Sequence, residues 1–318
     1  MDKETADSMR HKADILTSEG RSDEAIPLYQ KLVEGEPDDD SHLLSLAWAL
    51  KDTGQNSQAI GCFEQLFNRE LKRSILTGFG YDELVRIYRE EKNWDALIRV
   101  CRRAAERRND DAGFLQTLAE AYLDAGRTSE AIDVFKKLIS LDREAPEFWC
   151  SFGKALIATG NIEEGENAYK KAMEIDPSSA VTYFDRLGKL LLDRGYPQKA
   201  KEAWERCITL VPGEPFYYMG IGESLVCLNE ISSAMDAFAH AALMNSQRGG
   251  DYWSRLGEIL IKKGLYNDAA AAYVQAIASE PDNTRFRLRL ASCYASSGEN
   301  NLAAKTLKGI KMLEGRKR

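Results

Sequence analysis

No apolar run in the 318 residues approaches the ~20 that a bilayer span requires, so no membrane-crossing helix is expected. Only three histidines are present, His11, His42 and His240. The six cysteines, Cys62, Cys101, Cys150, Cys207, Cys227 and Cys293, form no C-x-x-C pair, and four convergent zinc ligands are not legible. These scattered thiols read as small buried hydrophobes in a reducing compartment, and a cytoplasmic protein is expected. The opening MDKETADSMR is charged and leads into no apolar stretch, so no secretory leader is expected. A phosphate loop, H-E-x-x-H and G-x-S-x-G are all missing, and Gly78-Phe79-Gly80 and Gly220-Ile221-Gly222 lack the third glycine of a dinucleotide turn. Acid pairs such as Glu163-Glu164 fall in helix-start turns, where they complement the dipole. No catalytic residue, cofactor or metal is expected from these absences.

What is present suits a soluble packed chain, 44% hydrophobic and 29% charged. The formal charge of −7 is unevenly placed: residues 1–40 hold 12 acids against 5 bases. Residues 285–318 reverse this with nine bases and two acids, Glu299 and Glu314. Opposed ends of this kind favour head-to-tail self-association, screened by salt, as one alternative function. A pI near 5.3 argues against nucleic acid as the main ligand.

Internal periodicity decides the fold. Ala25, Ala59, Ala96, Ala131, Gly165, Ala200, Ala234, Ala269 and Ala303 recur at steps of 34, 37, 35, 34, 35, 34, 35 and 34 residues. Twelve residues earlier lie Ala13, Ala47, Ala119, Gly153, Gly188, Gly222, Gly257 and Ala291, with Leu84 the exception. Four residues later an aromatic appears as Tyr29, Phe63, Phe135, Tyr169, Trp204, Phe238 and Tyr273. Five residues before the column stands a glycine in seven units, from Gly20 to Gly298, and four units close on Pro37, Pro177, Pro212 or Pro281.

Each unit therefore reads as two apolar-periodic helices joined by a turn such as GRSDEA or GENNLA. The glycine takes the left-handed conformation that ends the first helix, and Ser22, Asn56, Asn93, Thr128 and Asn300 stand where an N-cap of the second is wanted. Small residues in two columns let the paired helices approach, and the aromatic fills the gap to the next pair. One hairpin cannot bury its own faces, so stacking supplies the core. The expected fold is all-α: about 18 helices in nine antiparallel pairs forming a right-handed superhelical solenoid. Unit boundaries are expected near 6–38, 40–73, 77–110, 112–145, 146–179, 181–214, 215–248, 250–283 and 284–314, within a single solenoid domain. The third unit departs, with a three-residue insertion before it, Leu84 at the small position, Glu91 at the glycine and Val100 at the aromatic; a pitch change or hinge is expected at 68–82. The last unit is expected to leave a partly apolar end, with Leu302, Leu307 and Ile310 on one face.

The units resemble the tetratricopeptide repeat. The run Trp149, Phe152, Gly153, Leu156, Gly160, Gly165, Tyr169, Ala172, Pro177 and the run Trp253, Leu256, Gly257, Leu260, Gly264, Ala269, Tyr273, Ala276, Pro281 follow that family's pattern almost throughout. The resemblance implies a non-enzymatic scaffold that binds a peptide or protein segment of unknown identity in a concave groove lined by the first helix of each pair. Carried onto this chain, the lining in the second and third units comprises Leu44, Trp48, Tyr81, Val85 and Tyr88, an apolar zone suited to an extended or helical segment. In the fifth and sixth units it is charged, and Lys154, Arg186 and Lys189 are candidates to receive a carboxylate or acidic peptide. The Lys/Asn arrangement with which some members grip a terminal carboxylate is absent: Arg10, Asp14, Ser45, Gly78 and Asp82 stand there. A helical-repeat RNA binder is a further alternative, disfavoured by the acidic balance.

Overall fold

The computed structural model of the chain describes residues 3–73 and 78–316, with side chains from 4 to 310. The first eight helices are α1 (Lys3–Ser18), α2 (Ser22–Gly35), α3 (Asp40–Asp52), α4 (Asn56–Arg73), α5 (Phe79–Glu90), α6 (Trp94–Arg107), α7 (Ala112–Asp124) and α8 (Thr128–Leu141). Then follow α9 (Pro146–Ala158), α10 (Ile162–Ile175), α11 (Ala180–Asp193), α12 (Pro197–Leu210) and α13 (Pro215–Cys227). The chain ends with α14 (Ile231–Met244), α15 (Gly249–Lys262), α16 (Tyr266–Ser279), α17 (Thr284–Ser296) and α18 (Asn300–Arg316). Short 3₁₀ turns precede α11 and α15, and no strand occurs among the described residues.

Packing gathers the helices into two units, Met1–Arg143 and Glu144–Arg318. Inside each unit every helix lies against its neighbours in the chain, which is the nearest-neighbour core that a repeat array requires. The aromatic column is buried in seven pairs: Tyr29, Phe63, Phe135, Tyr169, Trp204, Phe238 and Tyr273 each have 2% of their surface exposed or less. In the second unit these rings press on glycine. A Cβ on Gly188 would lie 2.9 Å from the Trp204 ring, one on Gly222 2.6 Å from Phe238, and one on Gly257 2.6 Å from Tyr273. Large ring and missing side chain are complementary, which keeps interior packing dense.

The turn glycines behave as their position demands, with φ between 72 and 87° from Gly20 to Gly298. Where the third and seventh pairs lack glycine, Lys92 (φ 55°) and Asn229 (φ 65°) take the left-handed conformation. The capping expectation needs correction. Asn93 does cap α6, its side chain accepting from Ala96 N at 3.3 Å. Ser22, Asn56, Thr128 and Asn300 are instead the first helical residues. The tight turn after glycine brings the preceding residue to the cap, so Arg21 and Arg127 stand there without a side-chain cap bond. Each arginine turns to the acid three residues on: Arg21 Nε lies 2.7 Å from Glu24 Oε1, and Arg127 Nε 2.8 Å from Glu130 Oε1.

The third pair also corrects the register read from sequence. In the first pair Arg21 N donates to Leu16 O and Ala25 N to Arg21 O; the equivalent bonds in the third are Asn93 N to Tyr88 O and Leu97 N to Asn93 O. Leu97, not Ala96, therefore occupies the alanine column, with Val85, Lys92 and Cys101 in the small, glycine and aromatic columns. The insertion is four residues rather than three. It is visible as length: α4 has 18 residues where most second helices have 14, about one extra helical turn. Of the hinge expected at 68–82, residues 74–77 lie outside the described residues. On either side α4 and α5 approach closely, since a Cβ on Gly80 would lie 2.7 Å from Phe67 N.

Candidate protein-binding faces

Within the first unit, the first-helix face is built from α3, α5 and α7. Trp48, 37% exposed, meets Phe63 edge-on at 5.7 Å, and Lys51 Nζ stands 4.4 Å above its ring. Leu44 lies one turn earlier and is half-buried. The one-residue correction of register removes two residues from the expected apolar lining. Tyr81 and Tyr88 correspond to Leu43 and Leu50 of α3, which are core positions, and are 4% and 5% exposed. Tyr88 donates its hydroxyl to Glu64 at 2.9 Å, and Tyr81 packs edge-on against Phe114 at 5.0 Å. Burial pushes the pKa of both phenols up.

Of the exposed residues of α5, Phe79 at its start is apolar, and Asp82, Arg89 and Glu90 are charged. Lys51 reaches Glu83 at 3.1 Å, Arg86 pairs with Glu83 and Glu90, and Arg89 lies 3.2 Å from Asp124. Between them a shallow cleft of about 410 Å³ is lined by Tyr81 at its floor, Val85, Asp82, Arg86, Arg89, Thr117 and Glu120. Val85 is thus the one apolar residue of the expected third-unit set that remains half-exposed.

In the second unit, the first-helix face holds a narrower cleft of about 270 Å³ between α11, α13 and α15, lined by Lys189, Leu192, Trp204, Phe216, Met219, Gly220, Glu223 and Arg255 among others. Its depth comes from Gly220, where a Cβ would sit 2.5 Å from the Trp204 ring. Phe216 is 36% exposed, and Lys189 Nζ lies 4.6 Å above its ring while pairing with Asp185 at 2.7 Å. Across the cleft Arg255 pairs with Glu223. Of the expected basic trio only Lys189 lines it. Arg186 is exposed one turn earlier on α11 and Lys154 is exposed on α9, both without an ion pair among the described residues.

A larger cleft, about 640 Å³, lies on the second-helix side of the same unit between α10 and α12. Met173, Phe184, Leu187 and Ala203 are apolar members of its lining, and Lys199 pairs with Glu166 at 2.6 Å within it. Sequence reasoning missed this face because it mapped only first-helix positions. It also missed Phe216 and Arg255, although an aromatic beside Pro215 at the start of α13 was a usable signal.

Paired helices with buried aromatic columns and outward clefts define a helical-repeat protein. The chain belongs to the tetratricopeptide repeat family: profiles of that description match residues 88–150, 123–182, 260–315 and 8–42. Proteins of this family bind protein or peptide partners, and the fold is typically non-catalytic. The chain is similar to protein O-mannosyl-transferase TMTC1 of Homo sapiens, 25% identical over 57% of this chain and 21% of that protein. It is 29% identical to small glutamine-rich tetratricopeptide repeat-containing protein 2 of Mycosarcoma maydis over 28% of this chain and 26% of that one. The matched stretches thus span about a fifth to a quarter of these curated relatives. The solved structure of Naa15/Naa10 bound to HypK-THB shares the fold, with a TM-score of 0.51 at 15% identity over 98% of this chain and 58% of that one. No described helix is long and apolar enough to cross a membrane.

Proposed function

We propose that the protein is a non-enzymatic adaptor that holds an extended segment of another protein on the first-helix face of its second unit. The observation that carries this reading is the Phe216 cleft, an apolar floor flanked by the exposed cations Lys189 and Arg255. An apolar side chain inserted over Phe216 and Met219 would gain burial, and carboxylates beside it would compete for Lys189 and Arg255. The favoured ligand is a segment with an apolar residue flanked by Asp or Glu. Clefts of this kind supply orientation and charge, with no nucleophile or acid–base pair built into them. The chain's acidic balance makes nucleic acid a poor ligand for it.

The test is selection of peptides from a displayed random library on the full chain, followed by binding measurements on variants. Phe216→Ala and the double change Lys189→Ala/Arg255→Ala are each expected to weaken the selected acidic–apolar peptides at least tenfold. Lys170→Glu/Arg206→Glu, in the larger cleft behind, is expected to leave them unchanged, and Trp48→Ala likewise. Peptides lost with Trp48→Ala alone would move the site to the first unit; loss only with Lys170→Glu/Arg206→Glu would move it to the second-helix side. Either result overturns the assignment.

A further inference from the structure

The turn between the first two helix pairs brings three metal-competent side chains to one point. His42, in the first turn of α3, is 4% exposed. Its Nε2 lies 2.9 Å from Glu36 Oε2 and 3.7 Å from Asp39 Oδ2, and one donor atom from each residue falls within 4.8 Å of the other two. Glu36 ends α2 and Asp39 caps α3, its Oδ1 accepting from Ser41 N at 2.7 Å. The set is therefore fixed by backbone features at both sides. Nε2 carries at most one hydrogen, which the shorter contact directs to Glu36, so Asp39 Oδ2 at 3.7 Å receives none from His42. Asp40, the next acid along, is already engaged by Arg69 at 3.1 Å and by Arg73. Two carboxylates thus converge on one buried nitrogen and no arginine or lysine pairs with them among the described residues.

The spacing of the donor atoms is compatible with a shared cation. Ligand atoms about 2.1 Å from a zinc-type ion stand about 3.0 Å apart at a right angle and about 3.4 Å apart at the tetrahedral angle. The observed 2.9 and 3.7 Å lie just outside that range, one at each end. We propose that Glu36, Asp39 and His42 form a binding site for a divalent transition ion of the zinc type, with water completing its coordination. An imidazole with two carboxylates selects such an ion over Mg²⁺ or Ca²⁺, which prefer all-oxygen sets. His42 would bind through Nε2 with its proton on Nδ1. The ion would pin α2 to α3. The donors lie at i, i+3 and i+6 across a turn, a spacing that no familiar zinc motif contains.

Zn²⁺, Mg²⁺ and Ca²⁺ are titrated calorimetrically into the full chain, with Co²⁺ absorption as a second readout and circular dichroism as the check on folding. One Zn²⁺ per chain is expected, at least tenfold tighter than Mg²⁺ or Ca²⁺, with a Co²⁺ spectrum free of thiolate charge transfer. Glu36→Gln and Asp39→Asn, the latter keeping its capping oxygen, are each expected to weaken Zn²⁺ at least tenfold while preserving helicity. The proposal fails if the wild-type chain takes up no Zn²⁺. It fails equally if both variants bind as the wild type does, which would place the ion on Cys227 or the other histidines, or if Ca²⁺ binds as tightly.

Discussion

The six thiols separate by environment. Cys62, Cys101, Cys150, Cys207 and Cys293 are buried and Cys227 is exposed. Burial pushes the thiol of Cys101 up to about 11 and that of Cys207 to about 12. In the unfolded chain a thiol ionises near ~8.5. Above that pH the unfolded state has released protons that the native state still holds, so stability falls as pH rises. Denaturant midpoints at pH 8 and 9.5 are therefore expected to decrease in the wild type and to decrease less in Cys101→Ala/Cys207→Ala. A disulfide-exchange reagent is expected to consume one thiol, Cys227, well before the other five. At the third turn, Lys92 holds a left-handed backbone that glycine adopts without strain. Lys92→Gly is expected to raise stability by about 0.5–1 kcal/mol by denaturant unfolding.

Helices pair here by surrendering side chains at the contact. In α9 and α10 the surrender is double: a Cβ on Gly165 would lie 2.4 Å from Ile157 Cγ1, and one on Gly153 would lie 2.9 Å from Gly165 O. Gly165→Ala must separate the two backbones and is expected to cost about 2 kcal/mol, read as a lower urea midpoint. The element pattern was legible because one column of small residues, one of glycine and one of aromatics each record a separate physical demand. It became illegible where those demands were met by other means. In the third pair Lys92 replaces glycine, Cys101 replaces the ring and the buried Tyr81 contacts Cys101 Sγ at 3.8 Å. A one-residue misalignment followed, and with it Tyr81 and Tyr88 were read as outward-facing. Composition alone could not correct this, because a tyrosine suits a groove and a core equally well.

The molecule as a whole is two packed units of neighbour-to-neighbour contact, and perturbations in it should stay local. Hydrogen exchange on Gly165→Ala is expected to quicken in α9 to α12 while amides of α1 to α4 keep their wild-type rates. Acceleration throughout the chain would show all-or-none coupling between the units. The helix pairs were legible at this scale because the period is nearly constant. The candidate clefts were not, since their depth depends on which ring sits under which glycine, as Trp204 does beneath Gly220. Nor was the His42 cluster, because it relies on a cap and a helix end meeting in space.

The extra turn of α4 has a consequence for how such arrays change length. Arg69 would be the last residue of a 14-residue helix, and Arg73, four further on, returns to the same side and reaches the same Asp40. Growth by a whole turn preserves the direction in which the helix end points, whereas one or two residues more would swing Arg73 away from its partner. Insertions at this seam are thereby metered by helix geometry, and natural variants of the chain should differ there by three or four residues at a time.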